Sequence, residues 1–419
     1  MSVVDQMVAA AERAVNASQW AEAERLWTEV RKLAPRHARA LYSLGMHAVQ
    51  RGDNTGARDL LIQALAEAPR DLSTLHALGV VLGRLGDGEG EIAAIDACLS
   101  VDAYFLPGMV ARASWLERHA TRASAVAMYR NVLKVAPPEA HWPQSLRTQL
   151  LHAREVVDAH SRAYHAYLSD HISGLQAELP PASAERWREA ASIMAGRSRP
   201  YVSDANQLGV PRLPAIPFYD RAMFPWAEAL EAKTDVIRAE LLAALSKEQG
   251  EFKPYITYRP GDPVNQWVEL NHSERWSHYA LWRSGSPNAE HLAACPETAR
   301  ALEAVDMATI NGLCPNAMFS ALAPHTQIPP HTGETNARLV VHLPLIVPEK
   351  CTYRVGFEHR TWTVGEILVF DDTIEHMARN DSDELRVVLI FDIWNPLITL
   401  AERAIVSRLA TAARTFAAG

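Results

Sequence analysis

PPHTGETNARLVVHLPLIV (residues 329–347) and GEILVFDDTIEHMARNDSDELRVVLIFDIWNP (residues 365–396) carry the pattern from which the rest of the chain is read. In an extended strand, side chains two apart share a face. Arg338, Val340, His342 and Pro344 therefore point one way, and Leu339, Val341, Leu343 and Leu345 the other. The second stretch repeats the scheme, with Arg386, Val388, Ile390, Asp392 and Trp394 opposite Leu385, Val387, Leu389, Phe391 and Ile393. Each strand has a purely apolar face, which wants a packed core, and a face that mixes charge with bulk. A plain solvent face would account for one such strand. Two of them, beside clustered His and Asp, point to a barrel mouth that receives an anionic ligand. His331 stands just before the first strand, and His376 follows the run EILVF and the turn Asp371-Asp372-Thr373. Two imidazoles 45 residues apart, each at a strand end, can meet across a barrel as metal ligands. A lone histidine is more often a cap or a solvated side chain.

Working outward, the runs PYITY, FSALAP and TYRVGF add further short strands, and such spacing suggests an antiparallel sandwich or barrel. They follow Pro-rich loops from Tyr201 onward (Pro211, Pro214, Pro217) and a helix near Trp226–Ser246, which puts a boundary near residue 200. Residues 145–197 read as one long helix or two, broken at Pro180-Pro181. Before them the chain repeats itself. Pro35, Pro69 and Pro137 are separated by 34 and 68 residues. The same step links Gly45 to Gly79, Gly52 to Gly86 and Ala23 to Ala57, and runs through the bulky series Trp27, Leu61, Ile95 and Tyr129.

A period of 34, with small residues where helices cross and Pro after the second helix, resembles tetratricopeptide repeats. Residues 41–69 are the best copy, and the third is degenerate, with Ala103 in place of Pro. The expected organisation is a helical repeat array over 4–140, a helical linker or cap over 141–200 and a β-rich domain over 201–419.

Composition excludes several classes. Among 419 residues, 41 Lys and Arg against 49 Asp and Glu leave a net charge of −8 with no basic block, which argues against nucleic-acid binding. Cys98, Cys295, Cys314 and Cys351 lie far apart without a CxxC, so neither a zinc knuckle nor a disulfide scaffold fits. Asp5, Glu12 and Arg13 interrupt the apolar run that a signal peptide needs. No stretch reaches the roughly 18 apolar residues of a membrane span. The expectation is a soluble, cytoplasmic protein.

The two opening stretches closely resemble the aspartyl/asparaginyl β-hydroxylase family of iron- and 2-oxoglutarate-dependent oxygenases. PRLPAIPFYD, FPWAEALE, the segment from Trp276 to Trp282 and FSALAPHTQIPPHTG extend the resemblance over nearly all of residues 201–400. The animal peptide hydroxylases of that family also carry tetratricopeptide-like helices ahead of the oxygenase domain. The resemblance implies a double-stranded β-helix (jelly-roll, cupin-like) domain using Fe(II), O2 and 2-oxoglutarate as cosubstrate.

By matching positions it implies that His331 and His376 are the iron ligands. The acid usual two residues after the first histidine is replaced by Gly333, so that water completes the iron shell, held by Asp372. Asp371 is less well placed. Arg386 is implied to grip the distal carboxylate of 2-oxoglutarate, since its planar fork pairs two oxygens at once. Ser320 would help at the same carboxylate and His342 would lie near the other end of the cosubstrate. Arg338 is assigned to a substrate or cosubstrate carboxylate. Many relatives carry a further arginine where this chain has Val340.

The implied reaction is hydroxylation of the β-carbon of Asp or Asn in a peptide or protein, coupled to conversion of 2-oxoglutarate to succinate and CO2. The repeat array would offer a concave groove for the peptide, unless it is a rigid spacer or dimerisation surface. Two alternatives stand beside this. One is the same chemistry on a free amino acid, a small natural product or a lipid acyl chain; the other is a catalytically inactive repeat-based adaptor. EGF-like disulfide domains, targets of the animal enzymes, fit a chain without an export signal badly.

Overall fold

The computed structural model describes residues 2–246 and 252–418. Two compact units emerge, Met1–Asp170 and His171–Gly419. The division falls inside the helical stretch read as a linker.

The first unit is built from helix pairs: α1 (Val3–Asn16) with α2 (Trp20–Leu33), α3 (Ala38–Gln50) with α4 (Asn54–Glu67), α5 (Leu72–Arg84) with α6 (Gly88–Val101), and α7 (Leu106–His119) with α8 (Arg122–Val135). The second helices of the pairs start at Trp20, Asn54, Gly88 and Arg122, each 34 residues after the last. The bulky column Trp27, Leu61, Ile95 and Tyr129 is buried throughout. Its small-residue counterpart is needed for close crossing: a Cβ at Gly79 would sit 3.1 Å from Ile95 Cγ1. Gly52 and Gly86, with φ of +80° and +81°, reverse the chain between paired helices, where a Cβ would be strained. Asp53 and Asp87 follow them and cap the next helix through the amides of Gly56 and Gly90. Glu91, which interrupts the alanine column, is buried and paired to Arg118 at 2.6 Å. A long helix, α9 (Arg147–Gln176), follows, and α10 (Pro181–Met194) begins after the expected break at Pro180-Pro181.

Among the described residues the second unit contains twelve strands: β1 (Phe218–Tyr219), β2 (Lys253–Pro254), β3 (Trp276–Arg283), β4 (Ser286–Pro287), β5 (Ala317–Leu322), β6 (Thr326–His331), β7 (Arg338–Ile346), β8 (Cys351–Val355), β9 (Glu358–Arg360), β10 (Leu368–Phe370), β11 (His376–Asn380) and β12 (Arg386–Trp394). They form two antiparallel sheets. The larger has the order β1-β10-β7-β12-β5-β3-β2, with β4 on β3, and the smaller the order β6-β11-β8-β9. Of PYITY only Pro254 lies in a strand; Ile256 makes an isolated bridge to Asn271. The helix read near Trp226–Ser246 is two, α11 (Ala227–Glu231) and α12 (Thr234–Ser246), parted where the Thr234 hydroxyl donates to the carbonyl of Glu231. Helices α13 (Ala289–Ala294), α14 (Pro296–Glu303) and α15 (Leu400–Ala418) complete the unit.

The apolar strand faces read from the sequence form one core. Leu339, Val341, Leu343 and Leu345 pack with Val387, Leu389, Phe391 and Ile393, under Ile237 and Leu241 of α12 and Leu302 of α14. Each such side chain is worth on the order of 1.5–3 kcal/mol relative to exposure. The opposite faces of the same strands are buried too. Val340 and Val388 pack with Ile328, Tyr353, Phe370 and Ala378, and so help to close the space between the two sheets. That space is the site.

Candidate active site

A cavity of about 350 Å³ lies between the sheets, lined among others by Trp276, Ser320, His331, Arg338, His342, Asp372, His376 and Arg386. All seven residues singled out from the sequence therefore border one cavity. His331, at the end of β6, pairs directly with His376, at the start of β11. This register brings their ring centroids to 4.0 Å. Burial is the chief cause that lowers both rings, His331 to about 3 and His376 to about 4, so each is neutral near pH 7. Each Nδ1 lies against a carbonyl two residues back, Pro329 at 2.8 Å and Ile374 at 3.1 Å. A carbonyl only accepts, so Nδ1 carries the proton and Nε2 keeps its lone pair. Two neutral rings with available lone pairs are what a metal requires.

The Asp pair separates into two jobs. Asp371 accepts from the amide and hydroxyl of Thr373 and shapes the turn; burial, its largest influence, raises it to about 6. Asp372 faces the cavity. Its Oδ2 lies 2.8 Å from Arg338 Nη1, while Oδ1 is buried without a hydrogen-bond partner among the described residues. A Cβ at Gly333 would overlap the Asp372 carboxylate, so the glycine after His331-Thr332 leaves room for an acid arriving from another loop. Among the described residues no three His, Cys, Asp or Glu converge as a ready metal cluster. The donor set is two imidazoles with one carboxylate close by.

Deeper in the cavity stands a set of anion-binding donors. Arg386 is 1% exposed, and no carboxylate pairs with it among the described residues. Its guanidinium lies over the Trp362 ring at 4.8 Å and approaches the carbonyl of Ser320 at 3.4 Å. Burial pulls it down to about 10. Ser320 Oγ accepts from Trp276 Nε1 at 3.2 Å, which leaves its O–H free to donate. His342, held well below its ordinary value first by burial and then by Arg386, accepts at Nδ1 from Trp362 Nε1 at 3.2 Å. An indole only donates, so His342 carries its proton on Nε2, opposite to the tautomer of the other two rings. Arginine, hydroxyl and imidazole N–H together suit a carboxylate.

The family model of the aspartyl/asparaginyl β-hydroxylases matches residues 231–396, and that of the tetratricopeptide repeat matches residues 8–72 and 42–100. Residues 231–396 thus resemble an aspartyl/asparaginyl β-hydroxylase domain. Over 179 residues the chain is 34% identical to the aspartyl/asparaginyl β-hydroxylase of Mus musculus, a match covering 42% of this chain and 22% of that protein. It is 36% identical over 184 residues to the ornithine lipid ester-linked acyl 2-hydroxylase of Rhizobium tropici, covering 43% of this chain and 61% of the other. The chain thus spans about a fifth of the length of the mouse relative. Among solved structures, the crystal structure of MamA protein superposes with a TM-score of 0.32 at 12% identity, over 46% of this chain and 88% of that one.

In the second unit, several cavity residues carried no assignment from the sequence. Asp392 lies 3.3 Å from Arg338 Nε, on the strand face where alternation had put it. Trp276 and Trp362 fix Ser320 and His342. Trp267 and Trp276 line the cavity, whereas Trp282 packs on the outer core. Glu334 and Tyr255 also line it. Only Asp392 had a usable signal, its place in the alternation beside Arg386.

Proposed function

We propose that the hydroxylase domain is an Fe(II)- and 2-oxoglutarate-dependent dioxygenase acting on a peptide or protein, with the β-carbon of Asn or Asp as the site of hydroxylation. The observation that carries this reading is Arg386. A buried guanidinium without a counter-charge is costly, and it shares one cavity with two neutral imidazoles. A dianionic keto acid answers both features. His331 and His376 would hold the iron through Nε2, Arg386 with the Ser320 hydroxyl would hold the distal carboxylate of 2-oxoglutarate, and His342 Nε2–H would donate near the other end of the cosubstrate. When bound, iron, O2 and 2-oxoglutarate supply the oxidising power that turns a C–H bond into C–OH, with succinate and CO2 released. The chain's own work is to keep both rings neutral and to present Asp372 Oδ1 as an acceptor beside them. Tyr353, Phe370 and Ile328 exclude water. Repeat arrays commonly hold extended peptides, which supports a peptide substrate.

Val340 favours a second reading of the substrate. It offers no cation where relatives have arginine, and the Rhizobium tropici relative is named for an acyl chain. The same chemistry on a free amino acid, a small natural product or an acyl chain answers that observation. The filled set of cavity residues speaks against an inactive adaptor. Among the described residues no helix is long and apolar enough to cross a membrane.

The first test is succinate formation by the purified chain in air with Fe(II) and 2-oxoglutarate, followed by mass spectrometry of candidate peptides for one oxygen derived from 18O2. No succinate above the metal-free control would overturn the assignment. Arg386→Met sharpens it. Losing a buried, charge-assisted pair costs roughly 3 kcal/mol of cosubstrate binding, so the KM for 2-oxoglutarate should rise about 100-fold. Removing an unpaired buried charge should at the same time raise the Tm of the ligand-free protein. A fall in both affinity and Tm would mean that the arginine is structural.

The neutral rings predict an unusual pH profile for metal binding. Two ordinary histidines of pKa about 6.5 would lose about 100-fold in affinity between pH 7.5 and 5.5, as protons displace the metal. With His331 and His376 titrating near 3 and 4, protons do not compete in that window. Calorimetric titration with Co(II) should therefore give affinities within about threefold at the two pH values. A 100-fold loss on acidification would show rings that are solvated and basic.

A further inference from the structure

Arg338 is outnumbered by carboxylates, and its Nε and Nη1 lie within ion-pair distance of them without a well-formed hydrogen bond. Its Nη1 faces Asp372 at 2.8 Å, its Nε faces Asp392 at 3.3 Å, and its Nη2 faces Glu334 at 3.6 Å. Asp392 is itself 2% exposed and fixed, its Oδ2 accepting from the backbone and side-chain nitrogens of Asn316 at 2.7 and 2.8 Å. Three carboxylates thus surround one guanidinium. Val340, next to Arg338 on the same strand face, supplies no second cation. Arg283 borders the cavity only at its exposed rim.

An aromatic wall lines the same cavity. Tyr255 stacks on Trp276 with ring centroids 4.0 Å apart, and Trp267 stacks on Trp276 from another side at 5.8 Å. Tyr255 borders the same cavity as Glu334, Arg338, Asp372 and Asp392. Burial raises Glu334, as expected of a carboxylate with an incomplete counter-charge. Carboxylates in excess beside ring faces attract a cation and repel an anion.

We propose that the substrate group seated between Glu334, Arg338 and the Tyr255–Trp276–Trp267 wall is a cation, an amine or a guanidinium, rather than a carboxylate. This deepens the dioxygenase reading above and rests on it. In a peptide, the group is a Lys or Arg side chain next to the hydroxylated residue, and an acidic neighbour is excluded. The proposal also narrows the residue itself, because Asn enters such an arm without charge repulsion and Asp does not.

The test uses the full chain with Fe(II) and saturating 2-oxoglutarate under nitrogen, so that Arg386 is occupied and turnover is blocked. Butylguanidinium, butylamine and butyrate are titrated by calorimetry, with the fluorescence of the cavity tryptophans as a second readout. The cations should bind at least about 10-fold more tightly than butyrate, and Glu334→Gln should reduce that preference several-fold. Butyrate binding as well as the cations, or no binding of either cation, would overturn the proposal. Failure of the dioxygenase reading shows separately, as absence of succinate in air before any of these probes is added. The wild-type comparison decides the matter even if Glu334→Gln fails to fold.

Discussion

Alanine at His331 or His376 is expected to abolish metal-dependent succinate formation while leaving the fold in place. Most sites of the two-histidine, one-carboxylate type keep two protein ligands when one is lost. In the proposed centre Gly333 stands in the position of the acid, so a single replacement would leave one ligand. Removing a partner that merely orients a metal ligand typically costs 10–100-fold; removing one ligand of two should cost at least about 1000-fold in metal affinity. The structural price is small, because each ring's Nδ1 bond goes to a carbonyl two residues back in the same stretch of chain, worth about 1 kcal/mol. Co(II) titration by calorimetry and thermal unfolding of the metal-free proteins separate the two effects. Turnover within tenfold of wild type, or collapse of the Tm without metal, would contradict a two-histidine centre.

How far the site could be read in advance follows from the range of each interaction. Alternation along β7 and β12 is local, and the division into an apolar core face and a site face came through intact at Leu339, Val341, Val387 and Leu389. The 34-residue step is equally local, since each repeat's helices meet their neighbours through the same columns. The partners of Arg338 are different. Asp372 and Asp392 reach it from other parts of the chain, and which carboxylates surround it depends on sheet register, for which spacing gives no rule. The same holds for Trp362 and His342, joined across 20 residues by an indole N–H. Asp371 and Asp372 look alike in sequence; only the turn bond from Thr373 tells which of them is used up locally. The helix read through residues 226–246 broke for a reason of the same kind: a threonine hydroxyl took a carbonyl that an unbroken helix would have used.

Gly333→Ala should be a severely damaging conservative change. No left-handed backbone is involved; the constraint is volume. The added Cβ would overlap Oδ2 and Cγ of Asp372, and that carboxylate is not a free side-chain end, because Arg338 Nη1 holds it at 2.8 Å. Moving it breaks a buried ion pair, which costs roughly 3–5 kcal/mol when one partner is left unmatched, and withdraws the acceptor beside the two imidazoles. A marked fall in Tm and a loss of turnover of at least about 100-fold should follow together.

The pair can then be separated by a double-mutant cycle. Asp372→Ala added to Gly333→Ala empties the contested space, so the double variant should be no less stable than Asp372→Ala alone while turnover stays low. Gly333→Asp combined with Asp372→Ala moves the acid to the second residue after His331, the position that completes a two-histidine, one-carboxylate site. That variant should recover Co(II) affinity even if it turns over poorly, because the carboxylate now ligates instead of standing behind. If Gly333→Ala matches wild type in both Tm and turnover, Asp372 does not occupy that volume. The absence of an acid at position 333 would then need a different explanation.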